Sequence, residues 1–180
     1  MQIDRMLEIL LKKLLPILEV HNFRLTEKLA NYYKFDSDTV TLTIACDNRD
    51  GSISVFVGKK NAILNELDDI TILEVFNKHI EKHNKESYVN SLFEFLTVEG
   101  LPIIKGDLQK LNELESYSYH RAETYTKNLI IQQNLQKIES AWNEKKYSAF
   151  IKLMDMLDKS LLPRSYQIKY KQALGKLKNK

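Results

Sequence analysis

Residues 39–60, TVTLTIACDNRDGSISVFVGKK, decide the fold. In the first run Val40, Leu42, Ile44 and Cys46 alternate with Thr39, Thr41, Thr43 and Ala45, the period of two that sends successive side chains to opposite faces of a strand. Ile53, Val55 and Val57 repeat that alternation. Between the runs, Asp47-Asn48-Arg49-Asp50-Gly51 supplies residues that tolerate left-handed backbone. The pattern predicts an antiparallel hairpin with a tight turn reversing at Asp50-Gly51.

Upstream, residues 2–20 place Ile3, Met6, Leu7, Leu10, Leu11, Leu14, Leu15, Ile17 and Leu18 at steps of three and four, which predicts a core-facing helix. Pro16 removes a backbone donor and crowds the preceding turn, so a kink or restart is expected there. Asn22 suits a left-handed helix end. Strands are then expected from Phe23-Arg24-Leu25 and over 31–35, with a turn at Asp36-Ser37-Asp38. With the central hairpin they make a four-stranded antiparallel meander whose apolar face the first helix covers.

Downstream of Gly58 the period changes to 3.6. Thr71 with Glu74 has the form of a capping box, flanked by Ile70 and Val75 as a hydrophobic staple, and predicts a helix over 72–83. Ser91 with Glu94 repeats the form, although 88–96 also reads as an extended segment. Gly100-Leu101-Pro102 interrupts, and Gly106-Asp107 opens a region without Gly or Pro from 108 to 142. Its polar stepping residues predict one or two long helices partly exposed on every side. After a break at 143–146, Tyr147, Phe150, Ile151, Met154 and Leu157 mark another helix, and Pro163 precedes a last one carrying Tyr166, Tyr170, Leu174 and Leu177. The expected architecture is α+β: a sheet domain over 1–100 and a helical bundle over 101–180 packed against it as one compact unit.

Composition fits a globular chain, with 43% apolar and 28% charged residues among 180. The one cysteine, Cys46, excludes an intrachain disulfide and reads as a buried, inert thiol. Asp4, Arg5, Lys12, Lys13, Pro16 and Glu19 break the first apolar run, so neither a secretory signal nor a membrane span is expected and a cytoplasmic location is. The net charge of +3 is unevenly spread. From residue 159 to 180 there are seven basic residues and no acids, leaving 20 basic against 24 acidic residues before it. Lys169, Lys171, Lys176 and Lys178 in this tail form a candidate basic surface for nucleic acid or an acidic protein; they also suit the cation-favouring end of a solvated helix.

The five glycines, at 51, 58, 100, 106 and 175, cannot form a P-loop or a dinucleotide fingerprint. His79 and His83 stand one helical turn apart, a spacing that can hold zinc, but the zincin glutamate is missing and a helix end in solvent is the simpler reading. Asp36, Asp38, Asp47 and Asp50 could gather at the meander's turns, without the register of a calcium loop. No Gly-x-Ser-x-Gly occurs, and no histidine is local to Cys46. No catalytic, metal or cofactor site is therefore expected. Tyr117, Tyr119, His120, Arg121 and Tyr125 form a polar aromatic cluster suited to a protein interface, to stacking on bases, or to plain packing.

Two resemblances extend this reading. Tyr147-Ser148-Ala149-Phe150-Ile151-Lys152-Leu153-Met154, followed by Leu157 and Pro163, resembles the second helix of a tetratricopeptide repeat, with Phe150 in place of the small residue. The resemblance implies a helical hairpin. The leucine-rich first helix, its end Leu18-Glu19-Val20-His21-Asn22-Phe23 and the meander segment Leu42-Thr43-Ile44-Ala45-Cys46-Asp47-Asn48-Arg49-Asp50-Gly51 are similar to small bacterial proteins, some of them immunity partners of polymorphic toxins. That likeness implies a protein that binds and blocks a partner without an active site. The functional expectation is a non-catalytic protein-binding module, with nucleic-acid binding by the basic tail or an enzyme lacking a linear motif as alternatives; a homodimer stays open.

Overall fold

The computed structural model describes residues 5–158 and 162–178, the side chain of Lys178 excepted. Ile3 of the first stripe and Lys159 and Lys180 of the basic tail lie outside the described residues. The chain divides into two units, Met1–His120 and Arg121–Lys180. The division falls after His120, inside a helix, whereas the sequence reading placed it after residue 100.

Helix α1, Arg5–Val20, buries Leu7, Leu10, Leu11, Leu14 and Leu18. It runs through Pro16 without a restart, and Pro16 lies on its exposed side. The end is a Schellman motif: Asn22 takes φ 60°, its N–H reaches the Glu19 carbonyl, and the Phe23 N–H reaches that of Leu18 at 2.9 Å. Phe23 is buried in the same core as Leu18.

The sheet follows as β1 (Arg24–Leu29), β2 (Tyr32–Asp36), β3 (Val40–Cys46), β4 (Ile53–Lys59) and β5 (Asn65–Glu66), antiparallel and in chain order. The first four strands are the expected meander. The fifth was not expected: two residues cannot display an alternation. Gly58 makes it fit, since a Cβ there would stand 2.7 Å from the Ile63 carbonyl oxygen. The β3–β4 register runs unbroken from Val40↔Lys59 to Cys46↔Ile53, leaving residues 47–52 as a loop wider than the tight turn expected. Asp47 widens it by accepting the Arg49 N–H at 2.8 Å, with Gly51 at φ 68° closing the return.

Helices α2 (Asp69–Phe76), α3 (Lys85–Thr97) and α4 (Leu101–Ile104), and the first turns of α5 (Leu108–Asn143), complete the first unit. Two helix starts differ from the sequence reading. Asp68, not Thr71, caps α2 by accepting the Thr71 N–H at 2.8 Å, and Asn84 caps α3 in a reciprocal pair with Ser87. Residues 88–96 are therefore helical. Helix α2 also stops at Phe76 instead of residue 83, because Asn77 turns left-handed at φ 53° and returns its N–H to Leu73. The loop that follows is held by the Ser91 hydroxyl, which accepts the Glu81 N–H.

One core serves the unit. Leu7, Leu10, Leu14 and Leu18 of α1 meet Phe35, Leu42, Ile44, Val55 and Val57 of the sheet and Leu92, Phe95, Ile104, Leu111 and Leu114 of the later helices. The last three of these, Ile104, Leu111 and Leu114, carry the first unit past residue 100.

In the second unit the end of α5, with α6 (Tyr147–Asp155) and α7 (Arg164–Lys178), surrounds a small core of Ile138, Ala141, Phe150, Met154, Leu162 and Ala173. The expected break before α6 is a second Schellman motif, with Lys145 at φ 58° and the Lys146 N–H on the Ala141 carbonyl at 2.9 Å. No helix among the described residues is long and apolar enough to cross a membrane.

Candidate functional site

A cleft of about 520 Å³ opens in the first unit where the 47–52 loop, β5 and the starts of α2 and α3 converge. The caps explain the convergence. Asp68 and Asn84 spend their side chains on the free N–H groups of α2 and α3, which fixes both helix starts at the cleft wall. Its floor is apolar, from Met6, Ile53, Leu67 and Val89. Its rim carries four carboxylates, Asp50, Glu66, Asp68 and Asp69, against the ammonium groups of Lys82 and Lys85.

Most of these groups are engaged. Lys82 Nζ lies 2.9 Å from Asp69 Oδ1 and 5.7 Å from the centre of the Tyr88 ring. The Lys82 ammonium, hydrogen-bonded to Asp69, holds that carboxyl below its ordinary range. Lys85 Nζ donates to the Asp50 carbonyl at 2.6 Å, and the Ser52 N–H holds the Asp50 carboxyl low. The Tyr88 hydroxyl donates to the Ile53 carbonyl at 3.1 Å. Burial, then the nearby carboxylates of Asp69, Glu66 and Asp68, push its phenol up to about 12, so it stays a protonated donor at neutral pH. The arrangement offers an apolar bed and an acidic rim, and no nucleophile hydrogen-bonded to a base is seen among the described lining residues.

The residues singled out from sequence are scattered. Cys46 is 7% exposed, on the inner face of β3. His79 and His83 fall in the non-helical 77–84 stretch, so the helical spacing invoked for zinc does not exist. Asp36 and Asp38 lie at one end of β3 and Asp47 and Asp50 at the other, so the four do not gather. Asp36 instead accepts from Thr41 at 2.5 Å and Thr26 at 2.8 Å. Among the described residues no group of three His, Cys, Asp or Glu could hold a metal.

On α5, Tyr117, Arg121 and Tyr125 follow one another at four-residue steps and so share a row, His120 lies beside it, and Tyr119 turns away. Tyr119 and Tyr125 are 69% and 68% exposed, while Tyr117 is half-buried. Of the tail lysines, Lys169 stands over the Trp142 and Tyr166 rings at 5.7 and 5.3 Å and Lys176 over Tyr147 at 5.1 Å. Lys171 is exposed on the same helix, which also holds the backbone of Lys178.

The cleft escaped the sequence reading. Its signal was two polar residues, Asp68 and Asn84, each before an apolar helix, and nothing linear joins one to the other. No protein-family model, no curated protein and no solved structure matches the chain.

Proposed function

We propose that the chain is a non-catalytic protein-binding module whose first unit receives an arginine or lysine side chain of its partner. The observation that carries the reading is the cleft's pairing of an apolar bed with a rim of four carboxylates against two ammonium groups. A long basic side chain matches both parts: its methylene stem covers Met6 and Val89 while its head stays at the wet acidic rim. The chemistry of the rim supports recognition over catalysis, since Asp69, Lys82, Lys85 and Tyr88 are held in structural hydrogen bonds. An immunity-like role, blocking a basic partner, is the form of this reading that the sequence resemblance favours.

The test is calorimetric titration of the full chain with the peptide Ac-Leu-Arg-Leu-Arg-Leu-NH2 and with its glutamate twin. The arginine peptide should bind and the twin should not. Glu66→Lys, at an exposed position on a two-residue edge strand, should weaken binding several-fold with an unchanged melting temperature. Equal affinity for both peptides, or an unaffected Glu66→Lys variant, overturns the proposal.

A further inference from the structure

The two units carry opposite charge. Met1–His120 contains 14 basic and 19 acidic residues, a net of −5, whereas Arg121–Lys180 contains 13 basic and 5 acidic residues, a net of +8. The basic character read from sequence as a tail therefore belongs to a whole helical unit. Within it the few acids are engaged: Glu139 accepts the Tyr166 hydroxyl at 2.8 Å, Asp155 accepts that of Tyr170 at 2.6 Å, and Glu144 lies 2.6 Å from Lys146.

The cations are also placed on aromatic rings. Lys169 covers Trp142 and Tyr166, Lys176 covers Tyr147, and the Trp142 and Tyr147 rings meet edge to face at 5.6 Å. These residues thus form one continuous patch, with Lys145 and Lys146 in the turn that joins two of its rings. The three rings are half-buried, and neither Lys169 nor Lys176 is in an ion pair among the described residues. An ammonium resting on a ring face is held weakly enough to move to a stronger anion, which bares that face for stacking.

We propose that this patch binds single-stranded nucleic acid, with Lys169 and Lys176 taking phosphates and Trp142, Tyr147 and Tyr166 stacking on bases. Charge decides between occupants, because a unit of net +8 favours a polyanion. The rings favour one whose bases are unpaired, since stacking is open to every base and closed in a duplex.

Trp142 is the one tryptophan of the chain, so its fluorescence reports the patch alone. The full chain is titrated with an oligothymidylate long enough to span the patch, and with a duplex of equal length. The single strand should quench Trp142, with affinity falling about tenfold or more when the salt is raised about fourfold. Lys169→Glu with Lys176→Glu should weaken binding at least about tenfold, the fold being checked by circular dichroism; if that variant misfolds, Lys171→Glu, on an exposed position of the same helix, serves in its place with a smaller loss. Absence of quenching, tighter binding of the duplex, equal binding of polyglutamate, or undiminished binding by the variants overturns the proposal. So does salt-sensitive self-association abolished by the same substitutions, which would assign the patch to the acidic unit of a second copy.

Discussion

At the residue scale, Tyr88 ties the cleft to the stability of the fold. Its phenol, held up to about 12, keeps its proton where an unfolded tyrosine, near 10, has released it. The stabilisation is complete below the unfolded value and is lost as pH rises through the window between the two, because there the unfolded chain binds fewer protons. The loss should reach about 3 kcal/mol. Tyr88→Phe should cost about 1 kcal/mol at neutral pH through the lost hydrogen bond and should flatten that alkaline fall. Urea midpoints on either side of the window measure it; parallel profiles for the two proteins would contradict it. Lys145 carries a cost of another kind, a side chain in the left-handed region at φ 58°. Lys145→Gly should raise stability by about 0.5–1 kcal/mol in urea unfolding, since glycine has no Cβ to strain there. Cys46 was legible in sequence as a buried thiol, but the helix caps were not. Thr71 with Glu74 and Ser91 with Glu94 satisfy the same pattern as a true cap, yet both Thr71 and Ser91 are buried inside their helices, at 2% and 8% exposure.

At the element scale, what the sequence showed depended on how many residues an element had to display its period. The β3–β4 hairpin, seven residues a strand, was legible, but the face of β3 that carries Thr41 and Thr43 is buried as well, at 4% and 3% exposure, where the alternation alone suggests a half-buried strand. Strand β5 has two residues and was missed. Helix α2 was drawn too long because the apolar spacing continues through Ile80, which packs on the core from a non-helical stretch once Asn77 has turned the chain. Strand β1 is exposed along all six residues, including Leu25 and Leu29. Its charged Arg24, Glu27 and Lys28, and the register shift between Leu25 and Glu27, are the devices that keep a free sheet edge from pairing with another chain. The contrast between inner and outer positions gives a direct check. Leu42→Ala, at a fully buried site on the central strand, should cost about 2–5 kcal/mol. Tyr125→Ala, on the exposed row of α5, should stay within about 0.5 kcal/mol. Chemical denaturation of both decides the matter, and comparable losses would contradict the burial assigned to them.

At the scale of the whole molecule, the fold class was legible and the division into units was not. Sequence punctuation at Gly100-Leu101-Pro102 suggests a boundary, but Ile103, Ile104, Leu111 and Leu114 are buried with the sheet. A single helix then carries the chain from one unit into the next, and no Gly or Pro between 108 and 142 marks where. The two cores differ in extent, one built from β2, β3, β4 and several helices and the other from six buried residues, five on three helices and Leu162 just before α7. Amide hydrogen exchange should accordingly be slowest in β3 and β4 and distinctly faster in α6 and α7; uniform protection would contradict two separate cores. The cleft could not be read from the sequence at all. Asp50, Glu66, Asp69, Lys82 and Tyr88 belong to different elements, and only the folded chain brings them together.

The most direct test of the central claim, that the first unit's cleft is the site where a basic partner is recognised, is amide chemical-shift mapping of the full chain with the arginine peptide. The account predicts shifts concentrated at Ser52, Glu66, Asp69, Lys85 and Val89, absent with the glutamate twin. Shifts confined to the second unit, or none at saturating peptide, would contradict it.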